Sequence, residues 1–194
     1  MTEKLQELYR QMGQLEERVS DELHRRRDEL RVKLEQGRVL FDPETLERHR
    51  KLAKKLHRFI YDSGIVGLLV MGPLLYAMIV PLMVLDASIF IFQGVVFSYY
   101  RIPKVTRSDY IVMDRHELQY LNAFEKWNCA YCGYANGLIA YVREILARTE
   151  KHWCPIRHAR RTKAVHSQYR AFLDYGDAET YRAKYDEIRE RYEV

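Results

Sequence analysis

The chain has 194 residues, of which 30% are charged, and its net charge of +5 is concentrated rather than spread. That length holds one modest domain beside a membrane segment. Three cysteines, an odd number in a chain read as cytoplasmic, argue against a disulfide framework and for metal binding or thiol redox chemistry. Basic residues crowd the edges of an apolar run, which points to anionic lipid rather than nucleic acid.

Thr2 to Glu35 reads as a long polar helix. Leu5, Leu8, Met12, Leu15, Val19 and Leu23 alternate by three and four, and Leu30 continues them, the spacing of a coiled-coil seam. Such a seam serves self-association or a partner helix, or it folds back on its own chain, and it is too short to fix an oligomeric state. Met1 opens directly into this charged pattern without the apolar core of a signal peptide, so the N-terminal segment is expected to stay in the cytoplasm. Gly37 interrupts the pattern. Asp42-Pro43-Glu44 then starts a second helix, Asp as N-cap and Pro in the first turn. Leu46, Leu52, Ala53, Leu56, Phe59 and Ile60 line one side of it and the opposite face is basic. This is an amphipathic helix for the membrane surface, or one packed on the first helix.

Gly64 to Tyr100 carries a single charge, Asp86. As one helix it would be about 55 Å long, against about 30 Å of hydrocarbon, too long for one upright span and short for two. Pro73 and Pro81 bend or break helices. A break near Pro81 to Asp86 leaves two arms, Gly64 to Val80 and Ala87 to Tyr100, in a short membrane hairpin. Arg48, Arg50, Lys51, Lys54, Lys55 and Arg58 precede it and Arg101, Lys104 and Arg107 follow, which places both ends in the cytoplasm. The rival is one span plus an interfacial helix, with Arg101 to Arg107 on the far side. Asp86 then sits at the hairpin tip, or it makes a buried polar contact to a partner or handles protons.

Beyond the Arg101-Ile102-Pro103-Lys104 linker, Asp114-Arg115-His116-Glu117 reads as a capping box opening a helix to Trp127. Asp114 and His116 are also candidate metal ligands. Cys129 and Cys132, followed by Gly133, have the form of a metal knuckle, the Gly permitting a tight turn. Cys154 supplies a third thiolate and His158 is the natural fourth ligand, with His152 and His116 in reserve. Leu138 to Lys151 reads as a helix about 20 Å long. Cys132 and Cys154 therefore meet only if Gly133 to Gly137 folds back along it; otherwise they belong to different sites or to one shared between subunits. A redox pair at Cys129 and Cys132, or plain core cysteines, compete with zinc. Gly133 in place of His rules out haem attachment, and three thiols place an iron–sulfur cluster below zinc.

Ile102 to Arg161 resembles a family of uncharacterised bacterial inner-membrane proteins. Asp114-Arg115-His116, Asn128 to Gly137, Arg143-Glu144-Ile145, and Trp153-Cys154-Pro155-Ile156 with His158 carry the resemblance. The apolar run and Ile102-Pro103-Lys104 are similar too. It covers about the middle half of the chain and implies an inner-membrane location and a Cys site, not a reaction. In the tail, Gly176-Asp177 ends one helix and caps the next. Tyr181, Tyr185, Ile188 and Tyr192 share a helical face that core packing explains better than base stacking.

The sequence thus reads as all-α, without strand patterning. It divides into a coiled-coil-like helix (1–36), a basic amphipathic helix (37–63), a membrane-embedded hairpin (64–100) and a cytoplasmic helical domain with a Cys cluster (101–194). The expected protein sits in the bacterial inner membrane with both termini cytoplasmic. It is a non-enzymatic scaffold that binds structural zinc through Cys129, Cys132, Cys154 and His158, and it docks a helical partner or a second copy through the N-terminal seam. The alternative is a membrane-surface thiol redox protein or accessory enzyme subunit using Cys129 and Cys132. A small carrier or channel-like oligomer rests only on Asp86 and the two prolines. Ser-His-Asp order, a phosphate loop and a paired-carboxylate signature are not legible.

Overall fold

The computed structural model describes residues 3–29, 33–35, 38–53 and 55–192. Helices dominate it, as the sequence predicts: α1 (Glu3–Glu29), α2 (Pro43–Leu52), α3 (Leu56–Ser63), α4 (Ile65–Ala77), α5 (Ile79–Phe92), α6 (Ser98–Tyr100), α7 (Ala123–Trp153) and α8 (Ala178–Glu190). One departure is a minimal antiparallel ladder between β1 (Lys33–Glu35) and β2 (Arg38–Leu40), which occupies the end of the stretch expected to be helical. Leu30 and Gly37 lie outside the described residues. The second expected helix is broken in two, because Ala53 adopts extended dihedrals between α2 and α3. Its start is as predicted: the Asp42 carboxylate accepts from the Thr45 N–H at 2.8 Å, with Pro43 in the first turn.

The apolar run does not turn back at Pro81 to Asp86. Leu69–Tyr100 forms one helix of 32 residues. Met78, between α4 and α5, keeps right-handed helical dihedrals, so the seam is nearly continuous. Pro81 falls in the first turn of α5, where a missing N–H removes little, and Pro73 is accommodated inside α4. Asp86 is consequently a mid-helix residue and not a hairpin tip. The chain reverses at Arg101, which takes the left-handed conformation (φ 58°).

The residues fall into two compact units that interleave along the sequence. In the first (Met1–Leu15, Asp86–Arg107, Ile139–Val194) the core is Ile89, Phe97, Ile102, Val105, Tyr141, Val142, Ile145, Ala147 and Phe172. Gln93 touches Tyr141 and Tyr100 touches His152, so the end of the apolar helix runs parallel to the second half of α7. A parallel helix pair requires a return segment, and Ile102 to Arg107 provides it. Its contacts step backwards along the helix: Ile102 to Phe97, Val105 to Gln93 and Arg107 to Asp86. Further on, Ile156 bridges Leu173, and the α8 stripe is half-buried, with the Tyr185 hydroxyl donating to the His152 carbonyl at 3.0 Å. Core packing therefore accounts for that stripe.

In the second unit (Glu16–Leu85, Ser108–Leu138) the first half of α7 meets α4. The Tyr76 hydroxyl bonds the Asn128 side chain, and the Tyr131 hydroxyl donates to the Leu75 carbonyl at 3.0 Å. The capping box at the start of α7 lies eight positions later than expected. Asn122 Oδ1 accepts from the Phe124 and Glu125 N–H groups, each at 3.0 Å, and the Glu125 carboxylate accepts from the Asn122 N–H at 2.9 Å. Asp114 precedes only a short 3₁₀ turn, Arg115–Glu117, and makes no cap bond to it.

Gly133 and Gly137 are helical. They let an extended backbone cross the face of α7: a Cβ on Gly137 would lie 2.6 Å from the Tyr110 carbonyl oxygen, and one on Gly133 would lie 3.3 Å from that of Val112. Gly13 in α1 has open space around it. Gly→Ala favours a helix by about 1 kcal/mol where nothing is in the way. Gly13→Ala should accordingly raise the denaturation midpoint, whereas Gly137→Ala should lower stability by roughly 1–3 kcal/mol through the clash. Denaturant melts of the two variants beside the parent check both signs.

Candidate functional site

The four expected zinc ligands are not gathered by the chain. Cys129 is half-buried and Cys132 exposed, one turn apart within α7, while Cys154 is exposed just beyond its end. The fold-back at Gly133 to Gly137 that would unite them is replaced by continuous helix, leaving about 33 Å of helix rise between Cys132 and Cys154. His158 is exposed, its ring stacked on Tyr169 and its backbone N–H donating to the Tyr169 hydroxyl at 2.9 Å. His116 and Asp114 are exposed beside the 3₁₀ turn, and His152 is buried against Tyr100 and Trp153. Among the described residues no group of three or more His, Cys, Asp or Glu is placed to hold one metal ion. The thiol pair fares no better as a disulfide. An unbroken helix holds Cβ atoms three apart at about 5–6 Å, whereas a disulfide requires about 3.5–4.5 Å.

The structure concentrates its polar chemistry on the inward stripe of the apolar helix instead. Gln93 opens a π-helical turn, Gln93–Phe97, that carries both of these residues into the core. Its carboxamide reads both backbone groups of Val105, accepting from the N–H at 2.8 Å and donating to the carbonyl at 3.3 Å, and it also donates to the Tyr141 hydroxyl at 2.8 Å. About two helical turns earlier, Asp86 pairs with Arg107 at 2.7 Å. Arg148 holds the other side of the return segment, donating to the Pro103 carbonyl at 2.9 Å. Burial pushes the Tyr141 phenol above its usual range, against the opposing bond from Gln93.

A second polar layer pins residues 165–168 and the C-terminal end to α7. The buried Glu144 carboxylate accepts from Arg148 Nε at 2.9 Å and from the Ser167 hydroxyl at 2.6 Å. His166 pairs with Glu150 at 3.0 Å, and Arg143 donates to the Val165 carbonyl. The Lys151 ammonium, wholly buried, donates to Gln168 Oε1 at 3.0 Å and to the Arg191 carbonyl, and lies 5.0 Å from the Tyr192 ring centroid. Adjacent Ser167 and His166 thus face different carboxylates. A nucleophile activated by an imidazole needs its proton aimed at that ring; here it goes to Glu144, and the layer serves to hold segments together. The sequence offered no signal for this layer beyond charged residues at helical spacing on α7, which read equally well as a solvated face.

The chain matches no family model, and no curated protein or solved structure proved significantly similar to it.

Two consequences follow for stability. In Gln93→Leu, both backbone groups of Val105 and the Tyr141 hydroxyl lose their buried partner, and a loss of about 3 kcal/mol is expected. A chemical melt checks it, and the change should exceed that of Ser98→Ala on the exposed side of the same helix. The pH dependence has a definite sign. Burial pushes His166 below its usual 6.5 despite the opposing Glu150, and burial reinforced by Arg189 does the same to His152. Below 6.5 the unfolded chain therefore binds more protons than the folded one, so stability is flat above that pH and falls as pH drops beneath it. The unfolding midpoint should decline as pH drops below about 6.5, and the decline should shrink in His152→Phe.

Proposed function

We propose that this chain is a membrane-anchored helical docking protein without catalytic chemistry of its own, seated at the cytoplasmic face of the bacterial inner membrane. The observation that carries this is the exposure of the apolar helix: only 6% of its most apolar stretch is buried. Leu69, Leu74, Met83 and Phe90, spread along the helix, are each 60–70% exposed. A surface of that kind is stable against lipid or another protein, not water. The polar residues of the helix support lipid contact on the outside, because Asp86 and Gln93 turn inward to Arg107, Val105 and Tyr141, as ionisable and amide groups in membranes do.

Leu69–Tyr100 has no turn in it, so with both flanks on one aqueous side it lies in that interface without crossing the bilayer. Arg170 stacks over the Tyr9 ring at 5.6 Å, which supports N- and C-terminal segments on the same aqueous side and a helix sunk from that side. Exposed Arg48, Arg50, Lys51 and Arg58 before the helix favour the cytoplasmic side and anionic headgroups. Docking falls to α1, whose seam residues Leu8, Met12, Leu15, Val19 and Leu23 are 46–65% exposed. A zinc site shared by Cys129, Cys132, Cys154 and His158 is left out, because α7 keeps the first pair from the second.

Membrane fractionation tests the anchor. The parent should stay in the pellet through alkaline carbonate and leave it only with detergent, while Leu74→Arg combined with Val80→Arg should shift it to the soluble fraction. Tags on the two termini should both resist a membrane-impermeant protease until the inner membrane is opened. Carbonate release of the parent would refute the anchor, and opposite protection of the termini would refute the topology.

A further inference from the structure

We propose that the cleft lined by the start of α1, residues 170–174 and one face of α8 binds a phosphoryl-bearing anion. The cleft has a volume of about 730 Å³, the size of a small-molecule site, and lies wholly within the first unit. Arg10, Arg157, Arg170, Lys184 and Arg191 reach it against Asp174, Asp177 and Glu187, and Arg10 is also paired with Glu7 at 2.6 Å, which leaves a net positive lining.

The acids already have tasks inside the protein. Asp177 caps α8, accepting from the Thr180 N–H at 3.0 Å. Asp174 is paired with Arg157 at 2.7 Å, and Glu187 lies 3.5 Å from Arg191. Two of the cations are fixed in place before any ligand arrives. The Arg157 side chain is only 12% exposed and is held by Asp174 and, at 2.9 Å, by the Arg170 carbonyl. The Arg170 guanidinium is braced over the Tyr9 ring. The Arg170 guanidinium presents a planar fork that matches phosphoryl oxygens, and ordering it beforehand lowers the cost of binding, while Arg157, its terminal nitrogens already engaged, adds charge. Exposed Lys184 adds a mobile point charge from α8. A phosphoryl group of either source, a soluble phosphate ester or a lipid headgroup, suits this arrangement. The soluble case does not depend on membrane insertion.

The test uses the full chain in detergent. Glycerol phosphate is titrated by calorimetry, and vesicles of phosphatidylcholine with and without phosphatidic acid are assayed by flotation. Saturable binding is expected, weakened about tenfold by Lys184→Gln and by Arg170→Gln, the loss of one charge-assisted contact in each. Melting midpoints identify folded variants, and should Arg170→Gln fail to fold, exposed Lys184 decides alone. Glycerol phosphate binding that responds to the variants assigns a soluble ligand; variant-sensitive binding to phosphatidic acid vesicles alone assigns a headgroup. No saturable binding of either probe, or binding indifferent to the variants, overturns the proposal. In the latter case the basic residues of α2 and α3 are holding the vesicles.

Discussion

The carboxamide of Gln93 is the contact on which the first unit depends. An extended segment laid against a helix has no strand beside it to receive its backbone hydrogen bonds, and burying those groups unpaired costs about 1–3 kcal/mol each. Gln93 offers Val105 one acceptor and one donor, as a neighbouring strand would. Arg148 does the same for the Pro103 carbonyl from the opposite helix. With those bonds in place, Ile102 and Val105 can enter the core at 4% and 5% exposure. Without them, the segment has no means of lying between two parallel helices.

The π turn at Gln93–Phe97 belongs to the same device. An extra residue in one helical turn shifts which side chains face inward. It sets Gln93 and Phe97 together on the buried side while Val95 stays 65% exposed. One helix can then be apolar on its exposed side and hydrogen-bonding toward the core. Asp86 follows the same logic. Its pairing with Arg107 keeps the charge on the inward side of the helix, away from the exposed apolar side.

Charge was the main ambiguity in the rest of the chain. Glu144, Arg148 and Lys151 lie at helical spacing, a pattern that a solvated face would also show, yet each is at most 8% exposed. The partners of Glu144 and Lys151, namely Ser167, Gln168 and Arg191, come from 17 to 40 positions later, brought in by the bridge at Ile156 and by α8, and Arg148 reaches back to the Pro103 carbonyl. The cysteines show the converse. Cys129, Cys132 and Gly133 have metal-knuckle spacing, but the same spacing fits one helical face on which the glycine admits a crossing backbone. Local pattern does not separate the two; the segment that crosses does.

Several features were legible because they are local. Helical periodicity, the Asp42-Pro43 cap, the Gly176-Asp177 cap and the apolar run are each decided by residues within a turn or two of one another. Asn122-Ala123-Phe124-Glu125 was equally local and carried the same capping signature as Asp114 to Glu117, so the competing motif obscured it. The continuity of the apolar helix through Pro81 was decided elsewhere. A proline in a first turn costs little, and the inward polar residues beyond it have partners only once the return segment is laid down. The sequence by itself determined an α-helical chain with one charge-poor helix, since hydrophobicity and capping act over short range. Tertiary structure alone decided that this helix runs on without a hairpin, that the thiols stay apart, and that the charges of α7 are buried. Each of these depends on which distant segment supplies the hydrogen bonds.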